Sequence, residues 1–233
     1  MNPINTQQLL NLSLDPENTF NNFYAADTSL LALLENAVAN QYVEPQVYLW
    51  GSASSGKTHL LQAICRSALE YERRAIYLPL QDCLQYGPDC LSDLNSLDLV
   101  CLDDIHHIQQ QADWELALFN LINQLRASST TLVLSSRSTP NESVFELPDL
   151  ASRLVWGPVY KLMSLNEHEL EEAMILQAES RGLKLTREII QYLLTHYSRD
   201  LKNLITLLEN INQASLREHR KITIPFIKQV CPL

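Results

Sequence analysis

The sequence has no long hydrophobic run and no excess of positive charge. No apolar run approaches the roughly 20 residues of a membrane-spanning helix, and the start lacks the charged segment and apolar core of a signal peptide. Asp and Glu number 27 against 17 Lys and Arg, which gives a net charge of -10. Because phosphate backbones are bound by clustered Lys and Arg, we expect no large nucleic-acid surface.

The five cysteines also lack the spacing of a metal site or a redox pair. They form no C-x-x-C pair, and they do not sit with the six histidines at metal-ligand spacing. Reduced thiols in a cytoplasmic protein are the simplest interpretation. The 233 residues can bury a sizeable core, in one large domain or two small ones.

The most specific motif is "GSASSGKT" at residues 51–58, which fits G-x-x-x-x-G-K-[ST] at every fixed position. Its glycines let successive N–H groups point at phosphate oxygens, Lys57 adds positive charge there, and the Thr58 hydroxyl is placed for Mg²⁺. An apolar run precedes the motif and helical spacing follows it, which disfavours a chance Gly/Ser turn. The predicted nucleotide-binding residues of this loop are Gly51, Ser52, Ala53, Ser54, Ser55, Gly56, Lys57 and Thr58.

Strands and helices alternate over the first two-thirds of the chain, and this predicts an α/β fold with a mostly parallel sheet. Residues 81–96 contain Gly87 and Pro88 and predict irregular structure. The predicted strands are residues 47–50, 75–80, 97–102, 131–135 and 159–162.

The last third of the chain predicts helices only. Asn166 with Glu169 has N-cap spacing, Gly182 ends that helix, Thr186 caps the next, and a third begins near Leu201. The predicted organisation is a flexible tail at residues 1–18, an α/β core at 19–164 and a small all-helical subdomain at 165–233.

A pair of acidic residues is a second signal of a nucleotide site. An apolar run ends in Asp103 and Asp104, and carboxylates in this place serve Mg²⁺ and orient the attacking water in nucleotide hydrolases. An acidic strand end without function is the alternative, which the loop about 45 residues upstream disfavours. A polar side chain at Ser135, Ser136 or Arg137 would either lie between the loop and Asp103 or mark an ordinary exit from a strand.

Besides the phosphate loop, six stretches carry a resemblance to known proteins: "TFNNFYAADTSLLALL" (19–34), "LDLVCLDDI" (97–105), "LVLSSRSTP" (132–140), "LPDLASRLVWG" (147–157), "RDLKNL" (199–204) and "KITIPFIKQV" (221–230). Together with the loop they resemble one family, the AAA+ module of the bacterial replication initiator DnaA. The sequence is more similar still to the Hda family, shortened DnaA relatives that switch the initiator off, over nearly the whole chain from residue 7. "DLASRLVWG" and the C-terminal stretch are far more specific than the phosphate loop.

The resemblance implies an AAA+ P-loop NTPase core with a helical lid, binding ADP or ATP and Mg²⁺. Phe20 and Phe23 would help form the adenine side of the pocket, and Arg199 would reach back to the nucleotide from the lid. Asp103 would serve Mg²⁺ together with the loop threonine. Asp104 would be the acid that orients water.

Arg153 matches the arginine finger of the family, which enters the site of a neighbour, here DnaA, and stabilises charge on the transferring phosphoryl group. A surface arginine near a helix end is the alternative. The family carries an acid where this chain has Arg137, so we expect weak or no ATPase activity of its own. The sequence ends where DnaA would begin its DNA-binding domain, so we expect no direct sequence-specific DNA binding.

Hda-like proteins attach to the sliding clamp (beta subunit) of DNA polymerase III through a short peptide near the N-terminus. Here Gln7, Leu10 and Leu12 have the spacing of that peptide, one amide and two apolar anchors that suit a preformed groove. A tail without this role is the alternative, because short peptides match by chance.

Two functions from different classes are open. In the first, the nucleotide-bound protein, with ADP favoured by the resemblance, docks on the DNA-loaded clamp and stimulates ATP hydrolysis by DnaA, giving inactive DnaA-ADP. In the second, it is an autonomous AAA+ ATPase that loads or remodels a replication partner. A small-molecule kinase would leave the lid and finger stretches unexplained. The sequence leaves the oligomeric state open, a homo-oligomer included.

Overall fold

The computed structural model describes residues 14–26, 28–39 and 45–232, so the predicted clamp-binding residues Gln7, Leu10 and Leu12 lie outside it. The chain divides into two compact units. Among the described residues, the first unit holds those up to residue 163 except 21–26, and the second holds 21–26 and those from residue 164 on. Within the described ranges, no helix is both long and apolar enough to cross a membrane.

A parallel sheet forms the centre of the first unit, in the strand order β2-β3-β4-β1-β5. Strands β3 and β4 are buried along their whole length, as expected for a parallel sheet covered by helices on both faces. The predicted α/β fold is therefore confirmed. The strands are β1 (Gln46–Trp50), β2 (Ala75–Pro79), β3 (Leu99–Asp103), β4 (Thr131–Ser136) and β5 (Val159–Lys161).

Helices of the first unit bury apolar faces against this sheet. The predicted stripe from Trp114 to Leu125 is buried in the core, as are Leu60, Leu61 and Ile64 of the helix after the phosphate loop. The α-helices in the described part of this unit are α1 (Ser29–Val38), α2 (Lys57–Glu70), α3 (Leu80–Cys83), α4 (Ala112–Ala127) and α5 (Pro148–Leu154).

The segment between β2 and β3 differs from the prediction of irregular structure. Leu80, predicted as the end of a strand, begins α3, and the chain then makes three 3-10 turns, Leu84–Tyr86, Pro88–Leu91 and Leu94–Ser96. Leu91 and Leu94 of these turns are buried in the core. Turns this short have no periodic pattern in the sequence, which is why the prediction missed them.

The last residues of the predicted tail contact the core of the first unit. The backbone N–H of Asp15 and the side-chain amide of Asn18 both donate to Gln62 Oε1, at 2.9 and 3.0 Å. Arg66 donates to the carbonyl of Asp15 at 3.0 Å. These bonds attach residues 15–18 to α2. For residues 1–13, which lie outside the described ranges, the flexible tail stays a prediction.

The second unit is helical, and side chains cap its helices as the sequence predicts. Asn166 and Glu169 form a reciprocal capping box, and Thr186 accepts from the N–H of Ile189. Gly182 follows the first helix with a φ of +71°, a conformation that glycine adopts without strain. The helices are α6 (Glu167–Ser180), α7 (Arg187–His196), α8 (Leu201–Glu218) and α9 (Ile224–Val230).

One fully buried carboxylate, Glu115 of α4, joins two loops of the first unit. Its Oε1 accepts from the N–H of Gln110 and its Oε2 from the N–H of Leu147, both at 2.8 Å. Leu147 is the N-cap residue of α5. The side chain has no exposed surface, so it satisfies two backbone donors where water cannot.

We expect Glu115→Gln to lower the free energy of unfolding of this unit by about 1–3 kcal/mol, because one buried N–H would face an amide donor. Denaturant unfolding followed by tryptophan fluorescence measures this, since all three tryptophans lie in the first unit. Asp113→Asn is the matched control, because Asp113 is an exposed acid in the same first turn of α4. Equal stability of the two variants would contradict the role given to Glu115.

Candidate functional site

The phosphate loop lies between β1 and α2, as predicted, and its backbone is tightly folded. Gly56 has a φ of +91° and Ser54 a φ of +58°. A Cβ at Gly51 would lie 2.4 Å from the carbonyl oxygen of Leu162 and 2.8 Å from Ser55 Oγ, so only glycine fits there. Helix α2, of 14 residues, begins within the loop at Lys57, and its first turn presents free N–H groups to an anion.

Lys57 lies across this loop. Its Nζ donates to the carbonyl oxygens of Gly51 at 2.9 Å and Ser52 at 2.7 Å. The residue is 5% exposed. Burial lowers the pKa of Lys57, whereas the negative charges of Asp104 and Asp103 act in the opposite direction. A buried ammonium beside two carboxylates suits the phosphate chain of a nucleotide.

The sheet brings the predicted Mg²⁺ ligand Asp103 to the same edge. Asp103 ends β3, is 2% exposed, and accepts hydrogen bonds from Tyr77 Oη at 2.8 Å and from Ser135 Oγ. Burial and the Asp103 charge raise the pKa of Tyr77, so the phenol stays a donor. An oxygen-rich, buried acid of this kind fits Mg²⁺. Thr58 is exposed in the first turn of α2.

Ser135 connects the two acids that follow each other in sequence. Its hydroxyl donates to Asp103 and accepts from the N–H of Asp104 at 2.8 Å. Strand β4 pairs with both β1 and β3, so Ser135 lies between the loop-bearing strand and Asp103. The sequence leaves the role of Ser135 open and does not single out Tyr77, whose one signal is a polar-tipped side chain in an apolar strand.

Arg153 lies at the opposite end of β1 from the phosphate loop. Gln46, the first residue of β1, donates through Nε2 to the carbonyl oxygens of Arg153 and Leu154, both at 3.0 Å. The loop follows Trp50, the last residue of the same strand. Four residue steps along a strand separate these ends by about 13 Å. The structure therefore does not bring Arg153 together with Lys57 and Asp103.

Aromatic rings hold the side chain of Arg153. The guanidinium lies 4.3 Å from the ring centroid of Trp156 and 5.3 Å from that of Phe119. Arg126 stacks on Trp156 as well, at 4.1 Å. A Cβ at Gly157 would lie 1.8 Å from the carbonyl oxygen of Gln46, so this glycine allows the segment to reach β1. These contacts explain the tryptophan and glycine of "DLASRLVWG".

The remaining predicted site residues are distributed over the two units. Phe20 lies half-buried in the first unit and Phe23 half-buried in the second. Arg199 is an exposed residue of the second unit and pairs with Glu167 of α6 at 3.4 Å. Arg137 is exposed directly after β4, and its charge contributes to the lowered pKa of Lys57.

Comparison with known proteins gives the family. The family model of the bacterial DnaA ATPase domain matches residues 14–161, and that of the Hda lid domain matches residues 167–231. An uncharacterized protein of Haemophilus influenzae is 38% identical over 216 residues, which cover 92% of this chain and 94% of that protein.

Solved structures of DnaA share the fold. Domain III of Thermotoga maritima DnaA superposes with a TM-score of 0.77 at 20% identity, over 94% of this chain and 97% of that one. The AMPPCP-bound DnaA of Aquifex aeolicus gives 0.70 at 24% identity, over 88% and 69%. The chain therefore belongs to the family of the bacterial DnaA ATPase domain, as an Hda-like AAA+ protein with an Hda lid.

Proposed function

We propose that the protein binds ADP and acts on DnaA, to which it offers Arg153 as an arginine finger that stimulates hydrolysis of ATP held by DnaA. The product is inactive DnaA-ADP, so the protein is a negative regulator of replication initiation. The position of Arg153 carries this proposal. An arginine anchored about 13 Å along β1 from the protein's own phosphate loop is suited to a neighbour's nucleotide rather than to its own.

Within its own site, the loop N–H groups and Lys57 would hold the phosphates, and Thr58 and Asp103 would hold Mg²⁺. The metal would neutralise phosphate charge. Tyr77 and Ser135 donate to Asp103 and keep its carboxylate in a fixed orientation. Asp104 would orient water, but the exposed Arg137 stands where the family has an acid, which favours weak or no ATPase activity.

The aromatic stack supports the finger role. Stacking between a guanidinium and an aromatic face contributes about 0.5–2 kcal/mol, enough to bias Arg153 toward one orientation before a partner arrives. An already ordered side chain loses less conformational entropy on entering a partner's site.

We expect Lys57→Ala to weaken ADP binding roughly tenfold to a hundredfold, because a buried charged donor to phosphate is lost. Fluorescence titration with mant-ADP measures the affinity. Lys161→Ala is the matched control, since Lys161 is an exposed lysine that stacks on Trp50 at the end of the loop-bearing strand. Unchanged affinity in Lys57→Ala would show that the loop does not bind nucleotide in this way.

We expect Arg153→Ala to abolish the stimulation of DnaA, a loss of roughly 100-fold or more in the hydrolysis rate. The measurement is a single turnover of labelled ATP preloaded on DnaA, with DNA-loaded clamp and this protein in its ADP form. Arg126→Ala is the matched control, because Arg126 stacks on the same Trp156 and should keep the stimulation.

An equal loss of DnaA stimulation in Arg153→Ala and Arg126→Ala would show that the surface around Trp156 matters as a whole, and not one arginine finger. No stimulation by the unmodified protein would favour the autonomous ATPase. In that case its own ATP turnover, and the loss of that turnover in Asp104→Asn, should be measured.

We expect the double substitution Gln7→Ala/Leu10→Ala to remove binding to the sliding clamp, because it deletes the amide and one apolar anchor of the peptide. A pull-down on immobilised clamp measures retention, with Asn11→Ala as a control within the same segment. Equal retention of the unmodified and doubly substituted proteins would reject the clamp-binding peptide.

A further inference from the structure

Three side chains with metal-ligating atoms come together directly after β3. Asp104 precedes the 3-10 turn Ile105–Ile108, which carries His106 and His107. One ligand atom from each of the three residues lies within 4.8 Å of the other two. The sequence predicted no metal site of cysteines with histidines, and it did not single out this pair, because adjacent histidines on a strand or a regular helix point in different directions.

The two imidazoles have nitrogen atoms that the protein does not satisfy. Among the described residues, neither ring nitrogen of His106 has a hydrogen-bond partner, nor does Nε2 of His107, although all three atoms are buried. The ring centroids are 4.4 Å apart. A buried polar atom without a partner costs about 1–3 kcal/mol, so such a cluster needs an explanation.

The spacing is close to that of a metal site. Asp104 Oδ1 lies 3.7 Å from His106 Nδ1, and two ligand atoms about 2.1 Å from a tetrahedral Zn²⁺ are roughly 3.4 Å apart. One ligand atom of His107 lies within 4.8 Å of one from each of the other two residues.

Charged groups of both signs act on a cation at this cluster. The negative charge of Asp103 reaches His106 and attracts a cation, as does the carboxylate of Asp104 at 3.7 Å. The positive charges of Arg137 and Lys57 also reach His106 and repel a cation. The site should therefore bind a metal whose bonds to nitrogen are strong. Two imidazoles and one carboxylate suit Zn²⁺ and its neighbours in the first transition row, whereas Mg²⁺ prefers oxygen ligands in octahedral geometry.

We propose that Asp104, His106 and His107 form a binding site for Zn²⁺, separate from the Mg²⁺ position at Thr58 and Asp103. Three protein ligands leave a fourth position for water. The site is independent of the proposed action on DnaA. Because it engages the carboxylate of Asp104, Zn²⁺ binding changes the environment of the phosphate loop without requiring a bound nucleotide.

The test is calorimetric titration of the full chain with Zn²⁺, in excess Mg²⁺ and without nucleotide. The protein is purified without a polyhistidine tag, and its thiols are kept reduced. We expect one site, weakened roughly tenfold or more by His106→Gln and by His107→Gln. His168→Gln is the matched control, because His168 is exposed in the second unit, and it should bind as the unmodified chain does.

Two further measurements test the Zn²⁺ site without relying on the histidine variants alone. Asp104→Asn replaces the more exposed ligand, and it should weaken binding even if a histidine variant fails to fold by tryptophan fluorescence. Substitution with Co²⁺ should give visible d–d bands without the near-ultraviolet absorption of thiolate ligation. Unchanged Zn²⁺ affinity in Asp104→Asn and in the folded histidine variants, or a thiolate spectrum, would overturn the proposal.

Discussion

The close approach of Gly157 to Gln46 is the constraint on which the arrangement of this protein depends. A side chain at residue 157 would overlap the backbone of β1, so glycine lets the chain after α5 reach the amino end of that strand. The carboxyl end of the same strand leads into the phosphate loop. One short strand thus determines the separation between the predicted phosphate site and the predicted finger.

The ends of the parallel strands supply the residues that lie beside the phosphate loop. Because all strands of a parallel sheet end at the same edge, residues far apart in sequence meet beside the loop. Tyr77 from β2, Asp103 from β3 and Ser135 from β4 form one buried hydrogen-bonded group. Each polar atom has a partner there, which is the condition under which a polar network can be buried without destabilising the fold.

The 3-10 turn that follows β3 carries side chains of a different kind. The chain leaves β3 through Asp104, which has a φ of +55°, and this turn places two imidazoles beside its carboxylate. Three of their four ring nitrogen atoms are buried without a partner among the described residues, in contrast to the oxygens of Asp103. A satisfied acid and unsatisfied imidazoles so close together are suited to different ligands, a hard cation and a nitrogen-preferring one.

Local signals in the sequence determined many of the elements, though not the short turns between β2 and β3. Glycines and a lysine mark the phosphate loop, apolar runs mark the strands, and caps such as Asn166 and Thr186 mark helices of the second unit. Each of these depends on residues within a few positions of one another, so composition and spacing suffice to predict them. The tertiary structure alone decided which distant groups meet. The partners of Asp103, the pairing of Gln46 with the backbone of Arg153, and the aromatic rings around that arginine depend on strand order and on close packing, which no local pattern encodes.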